Sequence, residues 1–172
     1  MGSRLIMAWT KLAEIDDSST TDNVDSGAFS EVDWLFIQGK MNGTGAVRIN
    51  FQLGDGGSID TDTNYYQRYA VNFGGTWSTN NAINGIRGDQ PSLSNSPTYF
   101  TYIISNPDGF LTSVWNQQSV LNGNDDTTAP IAVQMWATWN ETNQANIINF
   151  NNRETGSFTS IKATIWGTNY NT

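Results

Sequence analysis

The sequence predicts an all-β fold, a jelly-roll-like antiparallel β-sandwich of about eight to ten strands. Three observations carry this. Short stretches alternate apolar and polar residues and are rich in β-branched and aromatic side chains. Clusters of Gly, Asn, Asp and Pro separate them and supply turn conformations. Asn and Thr together make up about a quarter of the 172 residues, and such side chains compete with a helix for backbone partners. The chain has no amphipathic helical period, internal repeat, coiled-coil heptad or low-complexity linker.

The first strand is expected at Ala8–Ile15, with Trp9, Lys11, Ala13 and Ile15 on one face. A polar loop, "DDSSTTDNVDSG", follows. Strands are then expected from Asp33 ("DWLFIQGKM") and from Ala46 ("AVRINFQL"), joined by "NGTG" as a hairpin turn. The second of these is the clearest half-buried strand. Val47, Ile49, Phe51 and Leu53 point one way, and Arg48, Asn50 and Gln52 the other. "GDGGSIDTDTN" reads as a long loop before "YYQRYAVNF", which Gly74 and Gly75 close.

A looser region runs from Trp77 to Pro97. Strands follow at "TYFTYIIS" and "FLTSVWNQQSVL", with the turn "NPDG" between them. After the loop "NGNDDTTAP" come "IAVQMWATW", "NIINFNN" and "SFTSIKATIWG". In the last, Ile161, Ala163 and Ile165 alternate with Lys162, Thr164 and Trp166. Residues 8–172 are expected to form one β-sandwich domain, with 1–7 set aside as an extension.

Composition restricts the chemistry. The chain has no Cys and no His. Disulfides, thiol nucleophiles, Cys/His zinc sites and a Ser-His-Asp triad are therefore excluded within it. The residue most used as a general base near neutral pH is also missing. Catalysis would fall to carboxylates, and Glu141 and Glu154 are the glutamates to consider for a glycosidase pair. The expectation is that the chain is not an enzyme.

Net charge is −8, with eight Lys and Arg scattered singly. Nucleic acid and anionic membrane are poor partners for such a surface. No stretch approaches the roughly 18–20 apolar residues that cross a bilayer, and "MGSRLIMAWTK" lacks the apolar region of a signal peptide.

Two constellations stand out. Asp60, Asp62 and Asn64 place oxygen ligands at alternate positions, the spacing with which calcium loops wrap a hard cation. The Gly and the bidentate Glu of an EF-hand are replaced by Tyr65 and Val71. The same run suits a polar turn. The expectation is no cofactor, with calcium as the alternative to an ordinary polar turn at this run. Asp16-Asp17, Asp22 with Asp25, and Asp125-Asp126 are further acidic loops that keep turns solvated.

The second constellation is aromatic. Seven Trp and six Tyr suggest sugar binding, because aromatic faces stack on pyranose rings. Trp77, in a loop, is the best exposed candidate, with Tyr65 and Tyr66 nearby. Trp9, Trp34, Trp136 and Trp166 fall in strands, where core or interface packing explains them. Arg87-Gly88-Asp89 and the acceptor triplets at Asn42 and Asn140 are short matches with ordinary turn readings.

The chain also resembles small virion-associated proteins of tailed viruses of marine bacteria and archaea. "MAWTKLAEI" followed by "DNVDSGAFS" looks like their N-terminal strand and loop. "RINFQLGDGG…TNYYQRYAVNFGG" is similar to their central Asn-Tyr-x-x-Arg segment, and "FNNRETGSFTSIKATIWG" to their closing strand. The resemblance implies a jelly-roll protein of the capsid or tail exterior, a decoration or fibre module without catalytic residues. Its partners would be copies of itself, as a homotrimer, together with capsid or tail proteins. A host surface glycan is the alternative partner.

Overall fold

The computed structural model describes residues 8–71, 78–87, 97–120 and 131–170. These form thirteen strands and no helix. They are β1 (Thr10–Asp17), β2 (Asn23–Asp25), β3 (Trp34–Thr44), β4 (Ile49–Asp55), β5 (Ser58–Ile59), β6 (Tyr65–Val71), β7 (Ser78–Ile83), β8 (Ile86–Arg87), β9 (Thr98–Ser105), β10 (Thr112–Val120), β11 (Ile131–Trp139), β12 (Ile147–Asn152) and β13 (Ser157–Thr168). All pair antiparallel, in an eight-stranded sheet ordered β1-β13-β3-β9-β10-β11-β6-β7 and a smaller one ordered β2-β12-β4-β5, with β8 also on β4. The expected all-β sandwich is what the chain forms. The strand number exceeds eight to ten because short pieces pair inside stretches that read as loops, notably β2, β5 and β8.

The chain crosses repeatedly between the sheets. One crossing overturns an expectation. "NGTG" does not close a hairpin, because β3 pairs with β13 and β9 whereas β4 pairs with β12. Gly45, at φ +70°, turns the chain out of one sheet and into the other. The hairpin in this region instead joins β4 to β5 through Gly56 and Gly57, both at positive φ. Two consecutive positive φ values are what a tight hairpin turn requires.

One apolar core fills the space between the sheets. Leu35, Ile37, Phe100, Tyr102, Ile104, Met135 and Ile165 come from the large sheet, and Phe51, Leu53, Ile148 and Phe150 from the small one. Phe51 stacks on Tyr102 with ring centroids 4.2 Å apart, and Phe150 tilts against Phe100 at 5.1 Å.

Two strands depart from simple alternation. A register shift between Lys11 and Ala13 breaks β1. Trp9 and Lys11 thereby lie on the outside and Ile15 in the core, so the four do not share a face. β4 is not half-buried, because Asn50 and Gln52 are buried too. Gln52 Nε2 donates to the Asn84 carbonyl at 2.7 Å, and Asn50 Nδ2 to Asn151 Oδ1 at 3.1 Å. The turn between β7 and β8 covers this amide face, and its hydrogen bonds offset the cost of burial.

Candidate functional site

The large sheet buries one face and leaves the other open. Strand register places one residue from each strand in a row across that open face. The row runs Lys11, Trp166, Phe36, Ile103, Trp115, Trp136, Arg68, Thr79. At roughly 4.8 Å per strand it is about 34 Å long. Five consecutive members are aromatic or apolar.

Polar rows flank it. On one side Ser105, Ser113, Thr138 and Tyr66 follow Trp34. On the other, Thr164, Gln38, Thr101, Gln117 and Gln134 are in register. An aromatic band between two bands of hydroxyls and amides is thus built into the pairing.

An open groove of about 540 Å³ lies on this face at the β9–β10–β11–β6 end. Ile103, Trp115, Trp136 and Arg68 line it from the row, and Trp34, Tyr66, Ser105, Ser113 and Thr138 from the flank. Trp136 is 48% exposed and Tyr66 42%. The Trp34 indole N–H has no hydrogen-bond acceptor. At the other end of the row, Trp9, Phe36 and Trp166 frame a second depression of about 400 Å³. Phe36 packs on Trp166 with centroids 5.5 Å apart, and Trp9 meets its edge at 6.2 Å.

This arrangement revises the expectation for the tryptophans. Trp9, Trp34, Trp136 and Trp166 were expected in the core or an interface, and none of them lies in the core. They sit on the open face, and among the described residues Trp139 is the tryptophan that is fully buried. Of the three aromatic ligand candidates, Trp77 lies outside the described residues. Tyr66 lines the groove. Tyr65, its neighbour, points to the other face and is 0% exposed. It stacks on Trp139, and its hydroxyl bonds to Leu53, so it supports the core and touches no ligand surface. Trp115, Ile103 and Arg68 are the members the sequence did not single out.

Asp60, Asp62 and Asn64 gather in a cleft of about 240 Å³ with Asp55, Trp139 and Glu141. The oxygens of Asp60 are already engaged. Asp60 Oδ2 accepts from the Trp139 indole N–H at 2.6 Å and from Asn64 Nδ2 at 3.1 Å. Asp60 Oδ1 accepts from the Asp62 backbone N–H at 2.8 Å, and Asn64 Nδ2 also donates to Glu141 Oε1 at 2.9 Å. Asn64 turns its donor group, not its oxygen, toward the carboxylates. Among the described residues no group of three acidic side chains is arranged to hold a metal ion.

Glu141 and Glu154 have separate partners, Asn64 for the first and Arg48 at 3.2 Å for the second. Among the described residues no helix is long and apolar enough to cross a membrane. No family model matches the chain, and no curated protein matches it.

Proposed function

We propose that the chain is a non-catalytic binding module of a virus particle's exterior, and that it holds a glycan on the open face of its large sheet. The observation that carries this is the cross-strand row Trp166–Phe36–Ile103–Trp115–Trp136 between its two polar rows. Flat aromatic rings offer stacking surfaces for sugar rings. Ser, Thr and Gln beside them offer donors and acceptors for hydroxyls. An open groove with apolar walls and a few convergent polar groups suits a ligand of this size. The lack of His and Cys supports a role without catalysis. The resemblance to virion-associated proteins supports the setting on a particle.

The test is a glycan array followed by titration of the hits. Trp115→Ala and Trp136→Ala should each weaken binding at least about tenfold, a loss of about 1.4 kcal/mol, with the fold intact by circular dichroism. A flat array, or hits that survive both changes, would sink the glycan reading.

A second reading is assembly, as a homotrimer or on capsid or tail proteins. The apolar patch of Trp9, Phe36 and Trp166 favours it, as does Phe110, exposed at the turn between β9 and β10. Buried aromatic clusters are where interfaces concentrate their energy. Light scattering on a sized column checks this reading. A trimer that Trp9→Ser with Trp166→Ser converts to monomer would favour it. A monomer at all concentrations that also fails to bind purified capsids would remove it.

A further inference from the structure

The charges of the large sheet are distributed unevenly. Every carboxylate within its strands belongs to β1, where Glu14, Asp16 and Asp17 lie. The other seven strands carry Lys40, Arg68 and Lys162 and no acid. This holds in a chain whose net charge is −8. Arg68 is the only charged residue lining the 540 Å³ groove among the described residues. It is exposed, and no ion pair engages it there. The β1 carboxylates are six strands away from it, about 29 Å at roughly 4.8 Å per strand.

Arg68 is opposite Trp136 in the pairing of β6 with β11. A ring stacked on Trp136 would therefore present its edge to the Arg68 guanidinium. A guanidinium is a flat fork of donors that matches a carboxylate in two parallel hydrogen bonds. Among the described residues no carboxylate is ion-paired with it, so that fork is available to the ligand.

We propose that the groove selects a glycan whose sugar carries a carboxylate, with Arg68 as the residue that reads the acid. The inference rests on the glycan reading of the open face and adds the charge class of the ligand. The pyranose stacks on Trp136 and Trp115, Ser105, Ser113 and Thr138 take its hydroxyls, and the carboxylate meets Arg68.

The experiment compares oligogalacturonate, alginate oligomers, hyaluronate oligomers and sialyllactose with their methyl esters, which keep the ring and remove the charge. Titration calorimetry on the full chain should give at least about tenfold weaker binding for the ester of whichever acid binds. Arg68→Gln should remove the acid's advantage over its ester. Arg68→Lys should recover part of the acid preference, because the charge remains and the fork does not. Added salt should weaken the acid more than the ester. Arg68 is exposed, so these variants should keep the wild-type Tm.

Equal binding of acid and ester, or an unchanged acid preference in Arg68→Gln, overturns the inference. If neutral glycans bind and Trp136→Ala abolishes that binding, the glycan reading stands while the acid selection falls. If no glycan of either class binds, both fall.

Discussion

The Tyr65 hydroxyl bonds to both backbone groups of Leu53, accepting from its N–H and donating to its carbonyl, each at 2.9 Å. Tyr65 belongs to the large sheet and Leu53 to the small one. Along β4, the short strands β5 and β8 pair with residues on either side of Leu53 but not with Leu53 itself. The tyrosine fills that gap with a side chain. Tyr65→Phe would leave the buried Leu53 N–H without a partner. A buried unpaired donor costs about 1–3 kcal/mol. Urea denaturation should show the unfolding free energy falling by that amount, read as a lower midpoint with m unchanged.

The same burial affects ionisation. Burial pushes the Tyr65 phenol far above its ordinary value. The Leu53 backbone hydrogen bond opposes this in part, and the charges of Asp60 and Glu141 push further upward. Tyr102 is raised by burial as well, against a smaller lowering by Gln118. In the unfolded chain a tyrosine loses its proton near pH 10. Above that pH the folded state holds protons that the unfolded state has released, so stability falls as pH rises. The contribution is complete below about pH 10 and shrinks above it. Tm measured at increasing alkaline pH should therefore decline beyond about 10, less steeply in Tyr65→Phe than in wild type. An ultraviolet titration should show Tyr65 and Tyr102 ionising only as the fold is lost.

Asp60 anchors the Trp139 indole. The Trp139 ring is fully buried, and its N–H has the Asp60 carboxylate as acceptor. Asp60→Ala should cost about 1–3 kcal/mol through the unpaired indole N–H. Asp60→Asn keeps an oxygen acceptor and should cost less. Because the carboxylate is already committed within the protein, Tm should be the same in calcium as in EDTA. A rise on adding calcium would mean that a cation binds the native state and displaces this network.

Much of the fold was legible because period-2 alternation is a local signal. β9 and β13 expose and bury alternate residues as their sequences predict. β10 was not legible in this way. It buries Thr112, Asn116 and Gln118 and turns Trp115 outward. Val114 lies on the buried face with these polar residues, and the outward face holds the indole among Ser113, Gln117 and Ser119, so neither face stands out as apolar. The buried amides are tolerated because Gln118 reaches the Tyr102 hydroxyl and Asn116 donates to the Thr101 carbonyl. Those partners are supplied by β9, so the sequence of β10 alone does not reveal them. The same limit hid the aromatic row. Its members are scattered from residue 36 to residue 166, and only strand order brings them into line. Tyr65 and Tyr66 were grouped as ligand candidates, but adjacent strand residues face opposite ways, so Tyr66 lies on the open face and Tyr65 in the core.

Asn106 illustrates a turn residue with a second role. "NPDG" was read as a turn, and Gly109 at φ +76° makes it one. Asn106 is nevertheless fully buried. Its Nδ2 donates to the carbonyls of Val32 at 2.9 Å and Ala145 at 3.1 Å. Its Oδ1 accepts from the Ala145 N–H at 2.8 Å and from the Thr112 hydroxyl at 3.2 Å. One side chain thus ties together the segments that lead into β3, β10 and β12. Asn106→Ala would strand several buried polar groups at once, and Asn106→Asp would set an acceptor against two carbonyls. Since each stranded group costs about 1–3 kcal/mol, both variants should lose about 3 kcal/mol or more in urea denaturation. The aspartate variant should recover part of its loss at low pH, where a protonated carboxyl can donate to one carbonyl. Equal losses for it at neutral and acidic pH would mean that the donor role of Nδ2 is not what holds these segments together.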